Sequence, residues 1–196
     1  MKYHYKQKMH DEIKSMIEEG IEVNRLASEK LVPKIKEAAD LIIRALKSNK
    51  KVLIAGNGGS ASMSSHIAAE FVGRYKIERK GLPCIALASD TSIITAWSND
   101  YTYDGVFERQ LEALAQKGDV FIALSTSGNS GNLLKAMEFA KKSGIFTVAL
   151  LGKDGGKMKN RSDIEIIVPS DNTPRIQEAH LMILHIICEI IDKEKI

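Results

Sequence analysis

The sequence predicts an α/β protein built on a doubly wound, five-stranded parallel sheet of flavodoxin-like order 2-1-3-4-5, with two helices before the first strand. Short apolar runs of strand length alternate with longer segments of helical periodicity along most of the chain. Two of the apolar runs lead directly into loops of small polar residues, as in sheets that bind ligands at their carboxyl edge. The chain has 196 residues and 44% hydrophobic content, which supports one substantial core.

Two helices open the chain. They are predicted over about residues 10–30 and 31–49, because apolar residues recur at helical spacing and Pro33 is tolerated in a first turn. Their apolar faces include Ile13, Ile17, Ile21, Ile35, Ile42 and Leu46. These faces are larger than the edge of a small sheet covers, so we expect residues 1–49 to form a helical extension that packs against a second subunit. Docking on the chain's own core is the alternative.

The remaining residues, 50–196, form the predicted α/β unit. Its strands are predicted over residues 51–55, 83–88, 119–124, 145–151 and 164–168. Its helices are predicted over residues 62–74, around 93–97, over 106–116 and 133–142, and from Pro174, with Thr173 as N-cap, to about Asp192. In a sheet of this order, the first and third strands are neighbours at the switch point where ligands bind. Those two strands precede the two polar loops.

The two loops extend from Gly56 to Ala61 and from Ser125 to Asn132, each between a strand and a helix. The first N–H groups of a helix lack intrahelical partners and carry a partial positive charge, so each loop suits an anion such as a phosphate. For one such loop, an ordinary capped turn is the commoner outcome. Two loops at one edge of a sheet indicate a shared ligand.

A nucleotide is disfavoured as that ligand. The first loop formally matches a dinucleotide fingerprint, but the second predicted strand ends without the acidic residue that would hold a ribose, and Asp90 lies beyond the expected spacing. The segment from Gly152 to Lys157 resembles a Walker loop but is too short, and Met158 stands where Ser or Thr is needed. The ligand is therefore predicted to be a small phosphorylated molecule.

Composition excludes several classes of protein. The formal net charge is +3, with Lys and Arg scattered among Asp and Glu, which argues against a nucleic-acid partner. The sequence has neither an apolar leader nor an apolar run of membrane-spanning length, so we expect a cytoplasmic protein without membrane attachment. Cys84 and Cys188 lie far apart in apolar surroundings, which is typical of buried thiols rather than of a disulfide or a zinc pair.

Candidate catalytic or metal-binding residues lie on two of the helices. His66 and Glu70 are four residues apart and share one helix face, although from spacing alone an exposed pair is the commoner outcome. The last helix carries an unusual set of polar residues, namely Gln177, Glu178, His180 and His185. Gln177 and His185 are about 12 Å apart along a helix axis, so they can share one ion only with extended side chains. Otherwise they serve different roles or belong to different subunits.

Several of these residues belong to longer segments spread over nearly the whole chain: Gly56–Ser60, His66–Glu70, Gly73–Tyr75, Ser98–Asp100, Ser125–Ser130, Gly152–Met158 and Arg175–Glu178. Together with the two N-terminal helices, these segments resemble the phosphoheptose isomerases, or sedoheptulose 7-phosphate isomerases, of the sugar isomerase (SIS) domain family. Taken alone, Asn99-Asp100 would indicate an ordinary turn.

The resemblance implies a SIS fold over residues 50–196 and an enzyme that converts sedoheptulose 7-phosphate to D-glycero-D-manno-heptose 7-phosphate, for lipopolysaccharide or capsule. It also implies a cytoplasmic homotetramer with active sites at subunit contacts and one zinc ion per subunit. The implied zinc ligands are His66, Glu70, Gln177 and His185. The implied substrate contacts are Asn57, Gly58, Gly59, Glu70, Asn99, Asp100, Ser125, Thr126, Ser127, Ser130 and Gln177.

Interconversion of a ketose and an aldose requires a proton to leave the carbon beside the carbonyl and to be delivered to the neighbouring carbon, through an enediol. Glu70 is predicted to be the base and His185 the partner acid. Zinc would polarise the carbonyl oxygen, and the loop that begins at Ser125 would hold the phosphate as a remote handle. The alternative is a non-catalytic SIS-family protein that associates with the replication initiator. The resemblance implies that such proteins lack the glutamate and the histidine at these two positions, and this chain has both.

Overall fold

The computed structural model of the protein describes residues 2–194 and 196, and its side chains are described over 8–194 and at 196. The helices are α1 (Lys2–Lys30), α2 (Val32–Lys47), α3 (Gly59–Val72), α4 (Thr91–Asp100), α5 (Val106–Leu114), α6 (Gly131–Lys142) and α7 (Thr173–Lys193). The strands are β1 (Val52–Gly56), β2 (Cys84–Ala86), β3 (Val120–Ser125), β4 (Phe146–Gly152) and β5 (Ile164–Val168). Short 3₁₀ helices cover Tyr103–Gly105 and Gly156–Met158.

The five strands form one sheet of order β2-β1-β3-β4-β5, in which every neighbouring pair is parallel. The predicted fold class and strand order are therefore confirmed. β1 and β3 lie side by side, with Ile54 opposite Ile122 and Gly56 opposite Leu124. Because the pair is parallel, the loops that follow these two strands meet at the same edge of the sheet.

Alternation of side chains along the strands divides the core into two layers. Ile54 and Ile122 belong to the layer shared with α2, α3 and α7, whereas Leu53 and Phe121 belong to the layer shared with α5 and α6. Every residue of β1 and of β3 is buried, as expected for central strands that are covered on both faces. The sheet is therefore a rigid base for the loops at its carboxyl edge.

The two N-terminal helices differ in what they cover. α2 buries its apolar face, including Ile35 and Ile42, in the chain's own core, which is the docking that the alternative describes. Among the described side chains of α1, the first buried one is Val23. Its first half carries a stripe of apolar side chains that are 51% to 62% exposed, namely Ile13, Met16, Ile17 and Ile21. Among the described residues of the two helices, exposed apolar side chains therefore lie mainly on α1, with Val32 at the start of α2 also 56% exposed.

Helix starts differ from the predicted ones. α3 begins at Gly59 rather than at residue 62, because Gly58 adopts a positive φ of 55° that lets the chain turn directly from strand to helix. The N-cap of α7 is Asn172 rather than Thr173: its backbone is extended, and its carbonyl oxygen accepts the first helical hydrogen bond from the N–H of Ile176 at 3.0 Å. α1 already begins at Lys2.

The two cysteines are buried and unbonded to each other, as predicted. Burial raises the pKa of both thiols, that of Cys188 to about 12. At neutral pH they are therefore uncharged and poor nucleophiles.

No helix in the described part of the chain combines the length and the apolar character that crossing a bilayer requires.

Truncation of a core side chain in β3 tests the two-layer core. Phe121 is completely buried, whereas Phe146 at the start of β4 is 44% exposed. We expect Phe121→Ala to lower the free energy of unfolding by about 3 to 5 kcal/mol, because it leaves a cavity in the α5–α6 layer. We expect the matched Phe146→Ala to stay within about 1 kcal/mol of the parent. Equal losses of stability in urea denaturation would contradict the assigned burial.

Candidate active site

The loops after β1 and β3 are joined by a reciprocal amide pair. Asn57 Nδ2 donates to Asn132 Oδ1 at 3.0 Å, and Asn132 Nδ2 donates back to Asn57 Oδ1 at 2.9 Å. The hydroxyl of Tyr103 also donates to Asn57 Oδ1, at 2.7 Å. Asn57 was a predicted site residue, but the bridging roles of Asn132 and Tyr103 were not predicted. Nothing local in the sequence identifies partners that are 46 and 75 residues away.

The serine loop, residues 125–130, is folded by its own hydroxyl groups. Ser125 Oγ accepts a hydrogen bond from the N–H of Gly128 at 3.1 Å and lies 3.2 Å from Ser130 Oγ. Ser127 Oγ accepts from the N–H of Asn129 at 3.2 Å. Thr126, Ser127 and Ser130 are half-buried, and the loop leads directly into α6. Partly exposed hydroxyl groups therefore lie at a helix N-terminus, where a phosphate is favoured.

A third segment, residues 152–158, supports the serine loop from behind. The N–H of Met158 donates to Gly128 O at 2.9 Å, and the N–H of Lys157 donates to Asn129 Oδ1 at 3.1 Å. Gly128 has a φ of +63°, and a methyl group added to it would lie 1.9 Å from Gly155 O. Gly156 of this segment has a φ of +54°, and a methyl group added to it would lie 2.4 Å from Ser127 O. Glycine on both sides thus allows the two backbones to approach closely, which explains the Walker-like glycine Gly156 without a nucleotide.

A cluster of titratable side chains lies on the neighbouring helices α3 and α7. His66 Nε2 is 3.0 Å from His185 Nε2 and 3.4 Å from Glu70 Oε1. One ligand atom from each of the three residues lies within 4.8 Å of the others. His185 of α7 thus joins His66 and Glu70, the i, i+4 pair of α3. The spacing of residues within α3 could not reveal this third member.

The surroundings of His185 favour the neutral form that a metal ligand or a proton acceptor needs. Burial, together with the adjacent His66, lowers the pKa of His185, and the negative charge of Glu70 only partly opposes this effect. The ring of Tyr75 stacks on the imidazole of His185, with centroids 5.5 Å apart and planes inclined at 25°. Both the protonation state and the orientation of this imidazole are therefore set by its neighbours.

Two imidazole nitrogens and a carboxylate that converge in this way fit a zinc ion and leave room for a further ligand. Gln177, the fourth predicted ligand, lies against the start of α3: a methyl group on Gly59 would be 2.9 Å from Gln177 Nε2. The structure brings together His66, Glu70 and His185. It places the fourth beside the first loop, so that the role of Gln177 as a metal ligand stays a prediction.

The other polar residues singled out on α7 have structural partners. His180 is completely buried, its Nε2 lies 2.9 Å from Leu151 O, and burial lowers its pKa to about 4, so it is a neutral core residue. Glu178, which is exposed, forms an ion pair with the more buried Arg175 at 3.1 Å.

Asn99 and Asp100 lie in the last turn of α4 rather than in a turn after it. Both are exposed, and Asn99 Nδ2 donates to Asp100 Oδ1 at 2.9 Å. They precede Tyr103, which contacts the first loop through Asn57. Asp90 is the N-cap of the same helix and accepts from the N–H groups of Ser92 and Ile93 at 2.9 and 3.0 Å. Asp90 is thus occupied in capping, which agrees with the argument against a ribose.

A doubly wound sheet with two polar loops at its switch point, and a His-Glu-His cluster at the helix that follows the first loop, is typical of α/β enzymes that bind a small ligand at the carboxyl edge of the sheet. The model of the SIS domain matches residues 16–152 of the chain.

Similar proteins specify the family more narrowly. The phosphoheptose isomerase of Sulfurimonas denitrificans is 52% identical over 93% of this chain and 94% of its own, and that of Helicobacter pylori is 56% identical over 84% and 86%. Solved structures of phosphoheptose isomerases from Neisseria gonorrhoeae and Francisella tularensis superpose with TM-scores of 0.89 and 0.91 at 38% identity. These cover 94% and 93% of this chain, and 99% and 97% of their own. The chain belongs to the phosphoheptose isomerase family of SIS-domain enzymes.

Substitution of Gly128 tests the contact behind the serine loop. In Gly128→Ala the added methyl group overlaps Gly155 O, so we expect the loop to move and the affinity for inorganic phosphate to fall at least tenfold. Gly118→Ala is the matched control, because Gly118 also has a positive φ but faces only the flexible side chain of Lys50. Calorimetric titration with phosphate gives the comparison. Equal phosphate affinities in the two variants would contradict the role of this contact.

Proposed function

We propose that the protein converts sedoheptulose 7-phosphate to D-glycero-D-manno-heptose 7-phosphate through an enediol intermediate. The observation that carries the proposal is the convergence of His185 of α7 with His66 and Glu70 of α3, the helix that begins at the first phosphate-type loop. Two relatives with 52% and 56% sequence identity, both named phosphoheptose isomerases, support this choice of substrate. The presence of both Glu70 and His185 argues against the non-catalytic alternative.

The phosphate group of the sugar is proposed to bind at the serine loop. Hydroxyl groups of Ser125, Thr126, Ser127 and Ser130 and the N–H groups at the start of α6 meet a dianion there. Charge-assisted hydrogen bonds of this kind contribute about 1.5 to 3 kcal/mol each. The phosphate is not transformed in the reaction, so its binding energy serves to align the reacting end of the sugar. Asn57, Gly58, Gly59, Asn99, Asp100 and Gln177 are the further proposed substrate contacts.

The reacting carbons are proposed to lie at the cluster. A carboxylate oxygen of Glu70 removes the proton from the carbon beside the carbonyl, and the same proton or a solvent proton is returned to the neighbouring carbon. His185 is the proposed partner acid: the ring nitrogen that does not hold zinc exchanges a proton with the sugar oxygens, which change between carbonyl and hydroxyl during the reaction.

A zinc ion, one per subunit, is proposed as the cofactor. His66, Glu70 and His185 would hold it, with Gln177 as a candidate fourth ligand. When bound, zinc supplies Lewis-acid stabilisation of negative charge on the sugar oxygens.

A homotetramer with active sites at subunit contacts is proposed as the assembly. The exposed stripe of α1 is an apolar surface of the kind that marks an interface. Gly59 and Glu70 are also about 16 Å apart along α3, so the two parts of the site are well separated within one chain, which supports completion by a partner. Residues 1–49 are proposed as the extension that mediates assembly. A cytoplasmic enzyme that supplies heptose for lipopolysaccharide or capsule is the proposed setting.

Replacement of Glu70 tests the reaction. In Glu70→Gln the amide cannot accept the proton, so we expect kcat with sedoheptulose 7-phosphate to fall about 10²- to 10⁴-fold with little change in KM. In deuterated water, the parent should introduce deuterium at C2 of the aldose and the variant should not. Glu138→Gln, an exposed glutamate on α6, is the control and should retain parental activity. A parent that forms no aldose overturns the proposed reaction, and an active Glu70→Gln overturns the proposed base.

Substitution within the α1 stripe tests the assembly. Ile17 and Ile21 are 58% and 62% exposed, so the double variant Ile17→Ser/Ile21→Ser should keep the fold of each chain. It should lose the tetramer in light scattering because the contact becomes polar. Phe146→Ser is the matched control for an exposed apolar side chain elsewhere and should leave the assembly intact. A double variant that remains tetrameric would place the interface away from this stripe.

A further inference from the structure

The segment that connects α3 to β2, residues 73–83, lies along one face of α7; we term it the return segment. The residues of α7 that it contacts, namely His185, Glu189 and Asp192, are spaced i, i+4 and i+7. Tyr75 stacks on His185, Lys76 Nζ donates to Glu189 Oε2 at 2.6 Å, and the N–H groups of Lys76 and Ile77 donate to Asp192 Oδ2 at 2.8 and 3.2 Å. The return segment is therefore registered on the same helix face that carries His185.

Arg79 of the return segment holds the end of α3. Its Nη2 donates to Glu70 O at 2.9 Å, and its Nη1 donates to Phe71 O at 2.9 Å. These are two of the last carbonyl groups of the helix, which lack intrahelical donors and favour a positive charge. The guanidinium group of Arg79 is thus a C-terminal cap, and one of the carbonyl groups that it caps belongs to the proposed base.

The same guanidinium group is paired with α7. Arg79 Nε donates to Asp192 Oδ1 at 2.7 Å, and the side chains of Arg79 and Asp192 are only 6% and 2% exposed. Arg79 therefore connects the end of α3, through Glu70 and Phe71, to Asp192 on α7. Among the described ion pairs, none other links the end of α3 to α7 through side chains as deeply buried as those of Arg79 and Asp192.

We propose that Arg79 and Asp192 are positioning residues, which set the spacing between Glu70 on α3 and His185 on α7 so that both can serve one ion. The inference rests on the proposed function, because it takes these residues as ligands of zinc. Buried ion pairs contribute little net stability. A pair that fixes the relative placement of two ligand-bearing helices acts as an outer-shell partner of the metal site instead.

The chain contains a matched control for this pair. Asp119 is 1% exposed, pairs with Lys51 Nζ at 2.6 Å and accepts from the N–H groups of Lys51 and Gln116 at 3.0 and 2.7 Å. It has the same set of partners as Asp192, namely one cation and two backbone N–H groups. It lies before β3, at the amino edge of the sheet, far from the cluster. Loss of either carboxylate should therefore cost similar stability, but only Asp192 should affect the metal site.

The experiment compares Asp192→Asn, Asp119→Asn and the parent as full-length, metal-free proteins whose fold is checked by circular dichroism. Zinc dissociation constants are measured by competition with a chromophoric chelator, and stability is measured from the urea midpoint. We expect both variants to lower the midpoint, and only Asp192→Asn to raise the zinc dissociation constant, by about 10- to 100-fold. Arg79→Lys, which keeps the charge but cannot bond both carbonyl groups and the carboxylate, should weaken zinc binding similarly and carries the test if Asp192→Asn does not fold.

Two different failures can be told apart. A parent that binds no zinc overturns the proposed cofactor and the positioning role together. A parent that binds zinc, with Asp192→Asn and Arg79→Lys within twofold of it, overturns the positioning role alone. An equal loss of zinc affinity in Asp119→Asn also overturns it, because the effect would then follow general destabilisation rather than the spacing of α3 and α7.

Discussion

The parallel pairing of β1 with β3 is the constraint on which the site depends. The register that places Gly56 opposite Leu124 brings the two polar loops to one edge of the sheet, close enough for Asn57 and Asn132 to exchange hydrogen bonds. Both strands are buried on both faces, so neither can shift without moving the core. A binding site assembled from residues 75 positions apart thereby acquires the rigidity of the sheet.

A second part of the site depends on helix packing rather than on loops. α3 and α7 run side by side in the same direction, with Gly59 beside Gln177 and His66 beside His185, an almost constant offset in sequence. The distance between the proposed base and the proposed acid is therefore a property of how two helices dock. The return segment, with its buried ion pair, is proposed to act on this distance by connecting the end of α3 to α7.

The sequence predicted the parts of this molecule that depend on local pattern. The five strands, their order and the two loops follow from apolar runs and small polar residues, because a doubly wound sheet fixes where loops lie. Docking of α2 was only the alternative and the Asn172 cap was not predicted, since both depend on contacts made elsewhere in the chain. The return segment could not be predicted either, because Arg79 and Asp192 are 113 residues apart and look like ordinary surface charges. The grouping of His66, Glu70 and His185 as metal ligands came from family resemblance and not from spacing.

The reciprocal amide pair makes the site sensitive to chemical ageing. Asn57 is followed by Gly58, and hydrolysis of its side-chain amide would replace the Nδ2 donor by a carboxylate oxygen. That oxygen would then face Asn132 Oδ1, so two acceptors would meet where a hydrogen bond had joined the loops. The new negative charge would also lie at the edge proposed to receive a phosphate dianion. Replacement of a single nitrogen atom by oxygen would therefore weaken both the joint between the loops and their attraction for an anion.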